Sequence, residues 1–163
     1  MSGVTKHKVL ELLQKDDTDE LLCLFDRAPN RVRKYLTMAT YAEDDATRKK
    51  AVNCFGWLAK KRGMSHPEFF RETIRRHIWA MNDESGNMDW LAPEIIGQIV
   101  AAQPRMFEEF ASIMIEAALK EPPFYPSLRK AVKLLAGTDK NLIQHQLSRL
   151  QELGMINENE AAG

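Results

Sequence analysis

An excess of charge of either sign is missing from this chain, whose 163 residues hold 23 lysines and arginines against 23 aspartates and glutamates. A formal net charge of zero leaves no global field to draw the protein onto nucleic acid or anionic lipid, so such binding would need a local patch. Cysteine is scarce. Cys23 and Cys54 stand far apart, with no CxxC spacing and no histidine cluster beside either, which excludes a structural zinc site and leaves a disulfide permitted but not indicated. No stretch approaches the roughly 20 apolar residues of a membrane span, and residues 1–10 lack the apolar core of a signal peptide. The expected compartment is the cytoplasm. GxSxG, HExxH and a phosphate-cradling glycine loop are absent too, and neither cysteine has an identifiable base. No catalytic residue, metal or cofactor is therefore expected, although catalytic groups can converge from distant positions.

What is present is helical patterning. With 44% apolar and 28% charged residues the chain can bury a core as one domain, and no alternating run reads as a strand. Helices are predicted over residues 4–14 and 17–26, where Asp17 and Glu20 have capping-box spacing. Pro29 opens the next, to about Tyr41. Residues 44–61 carry Val52, Phe55, Leu58 and Ala59 on one face, stopped by Gly63 as a left-handed C-terminal residue. A second capping box, Ser65 and Glu68 with Pro67 in the first turn, precedes an inward stripe of Phe69, Phe70, Thr73, Ile74, His77, Ile78 and Met81. Further helices follow at 91–102, from Pro104, at 127–136 and at 139–153. In the Pro104 helix Phe107, Phe110, Ala111, Met114, Ile115 and Ala118 keep i, i+3, i+4 spacing. Gly137 and Thr138 separate the last two helices, Gly154 ends the series, and residues 154–163 are expected to fray.

Self-similarity turns this helix series into an architecture. Ala51-Val52 with Gly56 recurs as Ala92-Pro93 with Gly97 and as Ala131-Val132 with Ala136, a period of about 40 residues. Pro67-Glu68-Phe69-Phe70 likewise matches Pro104-Arg105-Met106-Phe107. Each unit thus has a first helix with small residues and a second opened by proline. A mid-helix glycine costs about 1 kcal/mol, so Gly56 and Gly97 imply close packing against a neighbour.

Asp44 or Asp45, Arg48, Ala51 and Phe55-Gly56 resemble the HEAT-repeat pattern of Asp, Arg, Ala and a large apolar residue before Gly. The resemblance covers residues 44–153 as about three repeats. Residues 1–41 match only as helices and serve as an N-terminal cap. The segment from Ile78-Trp79 through Asn82-Asp83-Glu84-Ser85-Gly86, Trp90, Ala92-Pro93-Glu94 and Gly97 resembles one in uncharacterised HEAT-repeat proteins of sulfate-reducing and related anaerobic bacteria. The fold implied is all-α, a short right-handed α-α superhelix of antiparallel helix pairs within a single domain over 1–153. HEAT arrays imply protein-protein binding, while some relatives act on alkylated DNA or bilins.

The loop between Met81 and Trp90 is the least helix-like internal segment. Trp79, Asn82, Asp83, Glu84, Ser85, Asp89, Trp90 and Glu94 are its candidate binding residues. Four carboxylates beside two tryptophans suit a basic peptide, a cation or a flat cationic ligand. A plainer reading has Asn82 and Asp83 end a helix, Ser85-Gly86 turn the chain, Asp89 cap the next helix and the tryptophans fill the core. The spacing is not that of an EF-hand. A second candidate is the acid-free stretch with Arg48, Lys49, Lys50, Lys60, Lys61 and Arg62, in which Lys50 and Lys61, 11 residues apart, share a helix face. Its plainer reading is a solvated face balanced by acids from neighbouring helices. Glu72 and Arg76 form an i, i+4 pair, and His77 reads as a satisfied core histidine.

The leading expectation is a non-enzymatic adaptor that binds another protein through its helical surface and the 82–90 loop, without nucleic acid or membrane. The resemblance to HEAT-like alkylpurine DNA glycosylases supplies the enzymatic rival, in which Trp79, Trp90 and Asp83 or Asp89 would stabilise a cationic base; zero net charge weighs against it. A bilin or cofactor lyase or chaperone rests on fold analogy alone.

Overall fold

The computed structural model describes residues 3–82 and 89–162, and all regular structure among them is helical. The protein is all-α. No helix among the described residues is long and apolar enough to cross a membrane. The chain packs as two compact units, Met1–Leu58 and Ala59–Gly163, whose boundary lies inside one helix.

In the first unit α1 (Lys6–Gln14), α2 (Thr18–Arg27) and α3 (Pro29–Ala39) pack against one another, and the first part of α4 (Asp45–Arg62) belongs with them. While α3 starts on Pro29 without a side-chain cap, side chains at the starts of α1, α2 and α4 accept orphan N–H groups. Thr5 takes that of Lys8 at 3.1 Å, and Asp17 takes that of Glu20 at 3.1 Å, as its spacing predicts. Asp44 accepts from both the backbone (3.1 Å) and the hydroxyl (2.7 Å) of Thr47. The end of α1 is less ordinary. Asp16 stands at φ 55° while its N–H reaches Leu13 O (3.2 Å) and that of Asp17 reaches Leu12 O (2.9 Å). This is a Schellman closure with aspartate where glycine is usual.

The second unit holds the end of α4, then α5 (Pro67–Met81), α6 (Ala92–Ala102), α7 (Pro104–Leu119), a 3-10 turn at Pro122–Phe124, α8 (Tyr125–Thr138), a 3-10 run at Lys140–Gln146, α9 (Leu147–Glu152) and α10 (Glu158–Ala162). Pro67, Pro93 and Pro104 all sit in first turns, where the missing N–H costs nothing. The α7 stripe is buried throughout, from Phe107 to Ala118, and each large apolar side chain so buried contributes about 1.5–3 kcal/mol. At the centre α6 packs against α5, α7 and α8. A Cβ on Gly97 would lie 3.1 Å from the Ala131 Cβ, so the small residues at these two positions let α6 and α8 approach closely.

Several local expectations change. Ser65 does not cap α5: His66 takes the cap position without a side-chain bond, and the Ser65 hydroxyl donates to Arg62 O at 3.1 Å. Gly63 is not left-handed, since the positive-φ glycine among the described residues is Gly154. A side chain at 63 would instead strike Ala59 O and Gln103 Cγ (2.8 Å), because Gln103 covers the end of α4, donating to Ala59 O (3.4 Å) and Lys60 O (3.3 Å). Gly137 and Thr138 do not break α8, whose last turn includes them. The predicted helix over 139–153 is instead divided. Asp139 accepts from Asn141 N–H at 2.9 Å and starts 3-10 geometry, with Leu142, Ile143 and Gln146 turned inward. Nor does the tail fray at once. Gly154, at φ 70°, closes α9, and Met155 and Ile156 are buried beyond it.

Candidate functional site

Helix periodicity decides what α5 offers. His77 falls on its inward stripe and is buried, whereas Trp79, two residues or about 200° further round the helix, is 72% exposed. Asn82 closes the helix, its amide donating to Ile78 O at 3.1 Å. Asp83, Glu84 and Ser85 lie outside the described residues.

Asp89 is neither a surface carboxylate nor a side-chain cap. Its Oδ2 lies 2.6 Å from His77 Nδ1, and the two side chains are only 3% and 6% exposed. A carboxylate can only accept, so this contact assigns the proton to Nδ1. The Asp89 carbonyl accepts the Ala92 N–H at 3.0 Å, turning the chain into α6, where Leu91 holds the cap position. The pair ties the approach to α6 onto α5. His77 is the satisfied core histidine its stripe predicts. Its pairing with a carboxylate 12 residues on is what sequence reasoning missed, because that spacing matches none of the i, i+3 or i+4 neighbours on one helix face and so has no periodic signature.

The remaining loop candidates separate. Trp90, 43% exposed, rests tilted on buried Phe124, with centroids 5.1 Å apart. Trp79 projects from the side of α5 opposite His77, so neither tryptophan is a core residue. Glu94 turns toward α8: its N–H donates to the Ser127 hydroxyl at 3.1 Å, and its carboxylate, 15% exposed, lies 4.0 Å from Lys130 Nζ. The carboxylates seen here are thus drawn to different helices.

The basic stretch is locally neutralised in the first unit. Arg48 donates to Ala42 O, Glu43 O and Asp45, Lys49 pairs with Asp45 at 3.2 Å, and Lys50 pairs with Asp16 at 3.4 Å. These pairs hold the Asp45 carboxyl below its ordinary range, through the hydrogen bond and charge of Lys49 first and then Arg48. Lys60 and Lys61 are exposed and Arg62 half-buried, the last donating to Lys61 O at 3.2 Å. The expected Glu72–Arg76 pair forms at 3.0 Å. Among the described residues no group of three or more His, Cys, Asp or Glu side chains could hold a metal ion. Cys23 and Cys54 are free thiols.

Fold and site together define an all-α protein with a buried His–Asp clamp and an exposed tryptophan on the helix that carries it. No protein-family model matches the chain, and neither a curated protein nor a solved structure matches it significantly.

Proposed function

We propose that the chain is a HEAT-like repeat module of the cytoplasm that binds another protein, with Trp79 as the anchor of the contact. The observation that carries this reading is the 72% exposure of Trp79 on a helix whose opposite stripe is fully packed. A tryptophan left in water forgoes a large burial gain, and tryptophan is among the residues most enriched where interfaces concentrate their energy. Its neighbours at i−4 and i−3 are ordered polar groups: Arg75 lies 5.8 Å from the Phe110 ring centroid and Arg76 is held by Glu72. An aromatic centre with a polar rim is the anatomy of a small docking patch. The close approach of α6 and α8 supports the stacked-repeat interpretation.

Affinity capture with the tagged chain from a lysate of its own organism tests the proposal. A reproducible protein partner is expected, with Trp79→Ala weakening capture by at least roughly tenfold, as for a hot-spot tryptophan, while leaving helicity and thermal midpoint unchanged. Absence of a reproducible partner, or capture insensitive to Trp79→Ala, would overturn it.

A further inference from the structure

The first unit carries a pocket that does not involve Trp79. Its cavity measures about 280 Å³, with Leu12, Leu13, Leu21, Cys54 and Trp57 as walls. That is roughly twice the ~150 Å³ apolar cavity that admits benzene, enough for a body of about ten carbons. Asp16, Thr18, Lys50 and Asn53 also line it. Cys54 is buried, which pushes its thiol up to about 12. Apolar walls with a few polar groups are the usual make-up of a small-molecule site.

The charged pair in the lining sets the ligand's chemistry. Lys50 Nζ donates to Gln14 O at 3.2 Å and stands 3.4 Å from both carboxylate oxygens of Asp16. A tight ammonium–carboxylate contact measures about 2.7–2.9 Å, so this pair is slack. The Asp16 side chain is 71% exposed and that of Lys50 32%, so the carboxylate can withdraw into water while the lysine stem stays covered. Asp16 also holds φ 55°, a conformation that aspartate adopts less readily than glycine. The lining therefore presents one cation, a hydroxyl and an amide, with a single loosely held anion competing for the cation.

We propose that this pocket binds a small amphipathic monocarboxylate of about ten carbons, its apolar body against Leu12, Leu21 and Trp57 and its carboxylate replacing Asp16 on the Lys50 ammonium. A cationic amphiphile would face Lys50 directly, and a neutral one would leave the ion pair unused. The site belongs to the first unit alone and does not depend on the protein-binding role of Trp79.

Titration of the whole protein with decanoate, decylamine and 1-decanol, each below its aggregation concentration and followed by amide and Trp57 indole NMR shifts, tests this. Decanoate is expected to shift Leu12, Leu21, Cys54 and Trp57 saturably and to bind at least roughly threefold tighter than decanol, the scale of one partly exposed ion pair. Asp16→Asn keeps a residue that tolerates positive φ and removes the competing charge, so decanoate should bind it about three- to fivefold tighter, and Lys50→Met correspondingly weaker. Absence of saturable shifts, shifts elsewhere in the chain, decylamine or decanol binding as tightly as decanoate, or unchanged or weaker binding by Asp16→Asn would overturn the proposal.

Discussion

The buried His77–Asp89 contact concentrates a large single-residue risk in the second unit. Replacing His77 by leucine removes the donor 2.6 Å from a carboxylate that is 3% exposed. Breaking such a pair from one side costs about 3–5 kcal/mol, because the remaining charge stays buried without compensation. Replacing both partners removes that penalty. Urea unfolding should therefore find His77→Leu strongly destabilised and His77→Leu/Asp89→Leu less so; a double variant worse than the single one would show that the pair is not what holds this junction. The two cysteines offer a contrast at the same scale. Burial raises the Cys54 thiol to about 12, while Cys23 is exposed. Since the thiolate is the reactive species, a disulfide reagent at pH 8 should consume one thiol quickly and the second far more slowly in the native protein, with the difference lost on unfolding. Two thiols reacting at equal rates in the native protein would contradict the packing of Cys54.

At the scale of elements, close helix approach depends on a matched pair of small residues. Gly97 gives up roughly 1 kcal/mol of helix propensity, and the 3.1 Å separation of its would-be Cβ from the Ala131 Cβ explains why. Alanine at 97 would recover propensity but force α6 and α8 apart by a few tenths of an ångström; leucine would overpack by about 1–3 kcal/mol or more. Gly97→Leu should thus lower the thermal midpoint, and Ala131→Gly in that background should restore part of it, the non-additivity expected of residues in contact. Independent effects of the two changes would refute the contact. This element was legible in advance because small residues recurring every 40 or so positions mark a packing need. The cap of α2 and the stripe of α7 were legible for similar reasons: local chemistry and a 3.6-residue period specify them. The Ser65 box failed because its hydroxyl found Arg62 O instead. The break at Asp139 escaped because a continuous helix and a 3-10 run share the same apolar residues until tertiary packing turns Leu142, Ile143 and Gln146 inward together. Of the two ends of the 82–90 segment, Asn82 ends its helix as its type suggests, but Asp89 is claimed by a histidine on another element.

At the scale of the molecule, the unequal environments of the helices imply unequal protection in the second unit. In α6, Ala92, Pro93, Ile95, Ile96, Gly97, Ile99 and Val100 are all buried, and three helices pack on it. Opening α6 thus exposes apolar surface on several sides at once, so its amides should exchange only through global unfolding. By contrast α10 has five residues and packs against α8. A helix so short has little stability of its own, and the bonds between Asn157 and Glu160 that start it are exposed. Native-state hydrogen exchange should therefore place residues 96–100 among the slowest amides and residues 158–162 among the fastest, with Met155 and Ile156 between them because they are buried beyond the α9 closure. In a stacked-repeat protein the interior first helix is covered on both sides while terminal elements lack a neighbour, so this gradient also bears on the proposed architecture. If α6 exchanged as fast as α10, the second unit would lack the cooperative centre on which a fixed Trp79 surface depends.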